Sequence, residues 1–164
     1  INNPLGLKVG PKADFHEIID TIKLLNPLNE SGKIVIIYRF GKKNITNKLE
    51  QLFVAIKKHN LKCIMMCDPM HGNTYTLGKT KVRNLDDIIS EIKSAQRIHH
   101  DFNHPLQGIH LETTPDNIQE CLDEQQNKIN YQSLCDPRLN TQQSIKVCTN
   151  IYSKITNILT ASPS

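Results

Sequence analysis

Tryptophan is absent from this 164-residue chain, and aromatic residues make up only 5% of it. So few flat rings argue against a platform for stacking nucleobases. No apolar run approaches the ~20 residues that a membrane-spanning helix needs. No signal peptide is visible, and the first residue is Ile1 rather than Met. A processed or incomplete chain is therefore expected, placed in the cytoplasm, or in a plastid if its source is eukaryotic. Five cysteines occur, at positions 63, 67, 121, 135 and 148, with no CxxC pair. An odd count without paired spacing predicts reduced thiols rather than a disulfide framework. Lys and Arg number 20 against 16 Asp and Glu, a formal +4. The excess is mild and no long basic run carries it. The densest clusters, KIVIIYRFGKK and GKTKVR, suit small anions such as phosphates better than a nucleic-acid track. Neither nucleic acid nor membrane is expected as a partner.

What is present is a regular alternation. Phe15, Ile18, Ile19, Ile22 and Leu25 recur at helical spacing behind Asp14, with Glu17 completing a capping-box pattern, and Pro27 stops the run. The same spacing predicts helices over 45–59, 85–100 and 142–160. Their inward faces are Ile45, Leu49, Leu52, Phe53 and Ile56; Leu85, Ile88, Ile89, Ile92 and Ala95; and Ile145, Cys148, Ile151, Tyr152, Ile155 and Leu159. Asn84 is the expected cap of the third. A short helix is expected around 117–123. Between these lie LGLKVG (5–10), KIVIIYRFG (33–41), KCIMMCDPMHG (62–72) and GIHLET (108–113). Each is too short for a helix and rich enough in apolar residues for a buried strand. Strands alternating with helices of this size predict βαβ units and a parallel sheet.

The last strongly polar side chains of the four strands are Lys8, Arg39, His71 and Glu112. They recur roughly every 30 to 40 residues, one βα unit apart. Parallel strands deliver their C-terminal ends to one rim, where α/β folds bind ligands. Any one of these side chains alone is explained as a solvated strand end; four at one rim are not. His71 and Glu112, with Asp136 from CDPRLN, are candidates for a divalent metal. An imidazole and two carboxylates suit Mn, Fe, Co or Zn. Lys8 and Arg39 offer two cations for a phosphate or carboxylate. The remaining histidines have plainer readings. His99 and His100 sit at a helix end and favour its dipole, His16 and His59 look solvated, and His104 is in a loop. His110 either faces the site or is an interior histidine. Cys67 reads as a buried structural thiol.

NPLGLKVGP (3–11), RFG (39–41), CDPMHGNT (67–74), GIHLE (108–112), NIQEC (117–121) and CDPRLN (135–140) carry a resemblance. In this order they are similar to the class II 3-deoxy-D-arabino-heptulosonate 7-phosphate (DAHP) synthases, which open the shikimate pathway. The similarity covers nearly the whole chain. It implies a (β/α)8 barrel, a divalent metal, and condensation of phosphoenolpyruvate with erythrose 4-phosphate, releasing phosphate. Mn2+ is the first expectation for the metal, with Co2+, Zn2+ and Fe2+ as alternatives. The resemblance implies that Lys8 and Arg39 hold phosphoenolpyruvate, that Lys8 also transfers a proton, and that His71, Glu112 and Asp136 are metal ligands. Lys81 and Arg83 match a family K-T-R segment, with Val82 in place of Thr. Substrate binding and a surface turn are both open for them.

A complete barrel has eight strands and typically about 250 residues. Only four strands are found, matching strands five to eight, so residues 1–164 are expected to form one partial barrel domain. The family's metal-binding cysteine lies in the half with no counterpart here. Gln107 stands where the family tends to have Gly, and NIQECLDE lacks the glycines that often follow. The missing half is an expected partner, with a homo-oligomer when complete. Two alternatives stand: a non-catalytic half-barrel that binds or regulates a full synthase, and an amino-variant synthase of secondary metabolism.

Overall fold

The computed structural model describes residues 2–123, 129–134 and 136–160, of which 152–160 by backbone alone. Cys135 and the expected inward faces of Tyr152, Ile155 and Leu159 lie outside this description. The chain is mixed α/β. Strands β1 (Leu5–Val9), β2 (Ile34–Tyr38) and β3 (Cys63–Cys67) alternate with helices α1 (Phe15–Leu25) and α2 (Ile45–Lys58). A hairpin follows, β4 (Tyr75–Leu77) and β5 (Thr80–Asn84). Then come α3 (Leu85–Asp101), β6 (Gly108–Ile109), β7 (Cys121–Leu122) and α4 (Thr141–Thr160).

The main sheet has the order β1-β2-β3-β6, parallel throughout. Its register pairs Lys8 with Ile37 and Ile37 with Met66. Side chains alternate along each strand. One face presents Ile34, Ile36 and Tyr38 from β2 with Cys63, Met65 and Cys67 from β3, all buried. Onto this face pack Ile19 and Ile22 of α1, Leu49, Leu52, Phe53 and Ile56 of α2, and Ala95 and Ile98 of α3. Burial of such side chains is worth about 1.5–3 kcal/mol each. The opposite face carries Gly6, Lys8, Val35, Ile37, Ile64 and Met66, none of them fully buried.

The helices form where their spacing and caps predict, but Ile145 and Cys148, expected on the inward face of the last helix, are exposed. Asp14 accepts from the His16 N–H, and Asn84 accepts from the N–H groups of Asp86 and Asp87. Asn140 and Gln143 close a reciprocal box at the start of α4: Gln143 N donates to Asn140 Oδ1, and Asn140 N donates to Gln143 Oε1. α4 packs on α3 through a second core that includes Ile88, Ile92 and Val147.

Several expectations need correction. The helix expected at 117–123 is extended chain. Gln119 pairs with Asn130, and Cys121–Leu122 is strand β7 beside β5. Ile118, Gln119, Glu120 and Cys121 are all buried, so the segment has no amphipathic face to form a helix around. The β4–β5 hairpin falls where only a basic turn was read. The strand expected over 108–113 pairs only at Gly108–Ile109, and Thr113 forms an isolated bridge with Leu139. The four described cysteines are free.

His99 is also not a solvated helix-end charge. It is buried between Tyr38 and the loop before β6. Its Nδ1–H donates to the His104 carbonyl at 2.9 Å, which leaves Nε2 to accept from the Tyr38 hydroxyl at 3.0 Å. Burial lowers its pKa to about 4. The folded state therefore holds it neutral, while the unfolded chain protonates it near 6.5. Its contribution is complete above pH 6.5 and fades as pH falls towards 4. The gap in unfolding midpoint between the parent protein and His99→Gln should accordingly narrow on acidification from pH 6.5 to 4; a gap independent of pH would contradict this role.

Candidate metal centre at the strand ends

β3 ends at a proline, and the residues around it build the site. Asp68 N donates to Tyr38 O at 2.8 Å, the last rung between β2 and β3. Pro69 has no N–H to continue the ladder. The chain then turns, and the turn is held by the Asp68 side chain. Oδ1 accepts from the N–H groups of Met70 and His71 at 3.0 and 3.1 Å. Oδ2 accepts from His71 Nδ1–H at 2.6 Å. Asp68 is fully buried and His71 partly so. With Nδ1 hydrogen-bonded to Asp68, Nε2 is the ring nitrogen left facing outward.

Opposite Nε2 stand two carboxylates. Glu112 Oε1 is 3.4 Å away and Asp136 Oδ2 is 3.9 Å away. One donor atom from each of His71, Glu112 and Asp136 lies within 4.8 Å of the others. A cation with bonds of about 2.1 Å sets its ligand atoms about 3.0–3.5 Å apart. The donor set also fits by charge and by orientation. A carboxylate behind the outer nitrogen of a ligating histidine is the usual partner that fixes its tautomer.

Two cations border the carboxylates. Lys81, which is largely exposed, donates to Asp136 Oδ1 at 2.9 Å. That hydrogen bond holds the Asp136 carboxyl below its usual range. Arg83 is fully buried. Its NH1 donates to Glu112 Oε2 at 2.5 Å and to the Pro137 carbonyl, and its Nε donates to Thr74 Oγ1 at 2.8 Å. Asp68, Glu112 and Asp136 thus bring three negative charges against two positive ones, a balance that favours a further cation.

The Asp136 loop has its own anchor. Glu120 is fully buried and accepts from the N–H groups of Gln132, Ser133 and Arg138, and from the Arg138 guanidinium. Burial alone would raise its carboxyl, but Arg138 and the three backbone donors outweigh that and hold it below its ordinary value.

His71, Glu112 and Asp136 therefore meet, and Lys81 and Arg83 join them. Lys8 and Arg39 sit elsewhere on the same rim. Arg39 N donates to Val9 O, so both residues lie at the C-terminal ends of adjacent strands. Alternation puts them on the helix-free face. At strand spacing Arg39 stands about 5 Å and Lys8 about 10 Å across the sheet from β3. Neither makes an ion pair or side-chain hydrogen bond among the described residues. His110, open in the sequence, lies near His71, with ring centroids 6.2 Å apart and the rings tilted by 38°. Cys67 is buried on the helix side, and burial pushes its thiol well above the usual value. Asp68, Thr74 and Glu120 were missed as site residues. For Asp68 a signal existed, an acid three residues before the histidine. A cavity of about 620 Å³ lined by Gln96, His100, Asn103 and Leu106 lies at the opposite rim and carries none of these groups.

A parallel sheet with one histidine and two carboxylates at its C-terminal rim defines an α/β protein with a candidate divalent-metal site. The chain belongs to the class-II DAHP synthetase family, whose model matches residues 1–152. It is 36% identical over 156 residues to a phospho-2-dehydro-3-deoxyheptonate aldolase of Neurospora crassa, covering 90% of this chain and 32% of that protein. A protein of the same name from Mycolicibacterium smegmatis is 34% identical over 154 residues, covering 90% and 33%. One from Streptomyces coelicolor is 34% identical, covering 88% and 34%. The chain spans about a third of the length of these curated relatives.

Arg83 gives a direct test of the site's construction. Arg83→Met leaves Glu112, Thr74 and the Pro137 carbonyl without their donor and should destabilise the protein by about 3 kcal/mol or more. Arg83→Lys cannot reach all three acceptors and should recover only part. Denaturant titration measures both, and a loss below 1 kcal/mol for the Met variant would contradict the arrangement.

Proposed function

We propose that this chain is the C-terminal half of a (β/α)8 barrel and part of a DAHP synthase. The complete protein condenses phosphoenolpyruvate with erythrose 4-phosphate to DAHP and inorganic phosphate, the first step of the shikimate pathway. The observation that carries the reading is the meeting of His71, Glu112 and Asp136 at the strand ends of a chain that belongs to this family. The barrel reading is supported by topology. Consecutive strands lie side by side with α1, α2 and α3 on one face, the winding of a barrel rather than of a doubly wound sheet. The partly exposed face of Val35, Ile37, Ile64 and Met66 suits a barrel interior completed by the missing half. Residues 1–164 then form one partial domain, with that half as its first partner and a homo-oligomer as the complete form. The cytoplasm, or a plastid in a eukaryote, is the proposed location.

His71, Glu112 and Asp136 would hold the metal, with Mn2+ the first candidate and Co2+, Zn2+ and Fe2+ the others. When bound, the ion supplies a Lewis acid for the aldehyde of erythrose 4-phosphate. Asp68 keeps the His71 lone pair directed at it. Lys8 and Arg39 orient the phosphate and carboxylate of phosphoenolpyruvate so that C3 faces the aldehyde carbon, and Lys8 is placed to transfer a proton. Water adds at C2 and phosphate departs. Lys81, exposed at the rim, would turn towards a substrate phosphate by leaving its ion pair with Asp136. Arg83, fully buried, serves by holding Glu112.

A second reading draws on the coverage, about a third of the relatives, and on the absence of the family's cysteine ligand from the matched segments. In it the chain is a non-catalytic half-barrel that binds or regulates a full synthase. Assay with Mn2+ and both substrates separates the two. The full-length protein should release phosphate, and His71→Ala should lower the rate by at least a thousandfold. The 164-residue chain alone should be inactive and should self-associate on size-exclusion chromatography, because β1 has no strand on its outer side among the described residues. A monodisperse, active 164-residue monomer would contradict the half-barrel, and a full-length protein without turnover would favour the second reading.

A further inference from the structure

Position 91 of α3 breaks that helix's own pattern. It follows Ile88 by three residues and precedes Ala95 by four, so it lies on the apolar stripe, and it is Glu. The side chain is fully buried and forms no ion pair among the described residues. Burial raises its carboxyl to about 7, against the pull of its hydrogen-bond donors. An apolar residue would be less costly there. What the carboxylate does instead is join two loops. Oε1 accepts from Gly41 N at 2.9 Å, in the loop after β2. Oε2 accepts from Asn73 Nδ2 at 2.6 Å, in the turn after β3. Asn73 completes the clamp: Nδ2 also donates to Pro69 O at 2.8 Å, and Oδ1 accepts from Lys42 N at 2.9 Å.

The two loops touch through their glycines. A Cβ on Gly41, whose φ is +79°, would meet the Gly72 carbonyl oxygen at 2.5 Å. Gly41 is two residues beyond Arg39, and Asn73 is two residues beyond His71. The clamp thus grips both loops one step past the side chains that the proposed function assigns to phosphoenolpyruvate and to the metal. His71 itself is oriented separately, by Asp68.

We infer that Glu91 is a positioning residue: through Gly41 and Asn73 it sets the separation between Arg39 and His71, and so governs binding of the anionic substrate beside the metal. The inference rests on the proposed function for the roles of Arg39 and His71. It touches neither substrate nor metal, so its removal should separate two affinities that a general loss of structure would lower together. Glu91→Gln keeps the shape and one acceptor but sets an NH2 group against Asn73 Nδ2.

The test uses the full-length protein. Exchange of the Gly41 amide proton, Mn2+ affinity, and phosphoenolpyruvate affinity with Mn2+ present are measured for the parent, Glu91→Gln and Asn73→Ala. Both variants should speed Gly41 exchange by tenfold or more and weaken phosphoenolpyruvate binding by tenfold or more. Mn2+ affinity should stay within threefold, while the unfolding midpoint falls because buried partners of the clamp lose their hydrogen bonds. Asn73→Ala carries the test if Glu91→Gln does not fold. Unchanged phosphoenolpyruvate affinity in a variant with fast Gly41 exchange overturns the inference, and so does a joint fall of Mn2+ affinity, phosphoenolpyruvate affinity and stability. A parent that binds Mn2+ but no phosphoenolpyruvate sinks the proposed function instead, and the inference falls with it only if Gly41 exchange is also unaltered in the variants.

Discussion

Parallel, in-phase pairing of β1, β2 and β3 is the constraint on which the remaining structure depends. Lys8 lies across from Ile37, and Ile37 across from Met66, so each strand runs out at the same height. Whatever follows a strand is then delivered to one rim. Arg39 follows β2, Asp68 and His71 follow β3, and Glu112 follows β6. A register slip of one residue would turn every one of these strands over, placing Ile36 and Met65 on the open face and the polar ends among the helices. The apolar contacts of Ile34, Ile36, Cys63 and Met65 with α1, α2 and α3 oppose that slip. Core packing thereby sets the geometry of a site it does not touch.

Above that framework, the rim is built from buried charges that each hold backbone. Asp68 holds the turn that carries His71. Glu120 gathers three N–H groups of the loop that carries Asp136. Arg83 binds Glu112 and the Pro137 carbonyl together. Fully buried charged groups are expensive to desolvate, and each is retained here with several partners. Irregular loops positioned by such groups can hold side chains to the tolerance that metal binding requires. Family membership agrees with this picture, and the chain spans about a third of the length of its curated relatives.

The strands and helices were legible because their periods are clean. IVIIY and CIMMC can only be buried strands at that length, and the isoleucines and leucines of α1, α2 and α3 repeat at 3–4 spacing. The β4–β5 hairpin was not legible as such, since β4 is exposed along its whole length and its three residues are too few to show a period. Its one signal was Gly78 at the turn, with φ +63°. Ile118 and Cys121 imitate a helical pair, but a segment buried on all sides has no period to read. Within the site, His71, Glu112 and Asp136 were found from strand ends and family motifs, since they are too far apart in sequence to form a local pattern. Glu91 and Glu120 were invisible for the opposite reason. An acidic residue in an otherwise ordinary stretch reads as solvated until tertiary packing buries it.

The central claim is that His71, Glu112 and Asp136 form one divalent-metal site. Anomalous diffraction from crystals of the full-length protein grown with Mn2+ addresses it most directly. The account predicts a single peak about 2.2 Å from His71 Nε2 and from a carboxylate oxygen of both Glu112 and Asp136. A peak held by other residues, with these three side chains directed elsewhere, would contradict it.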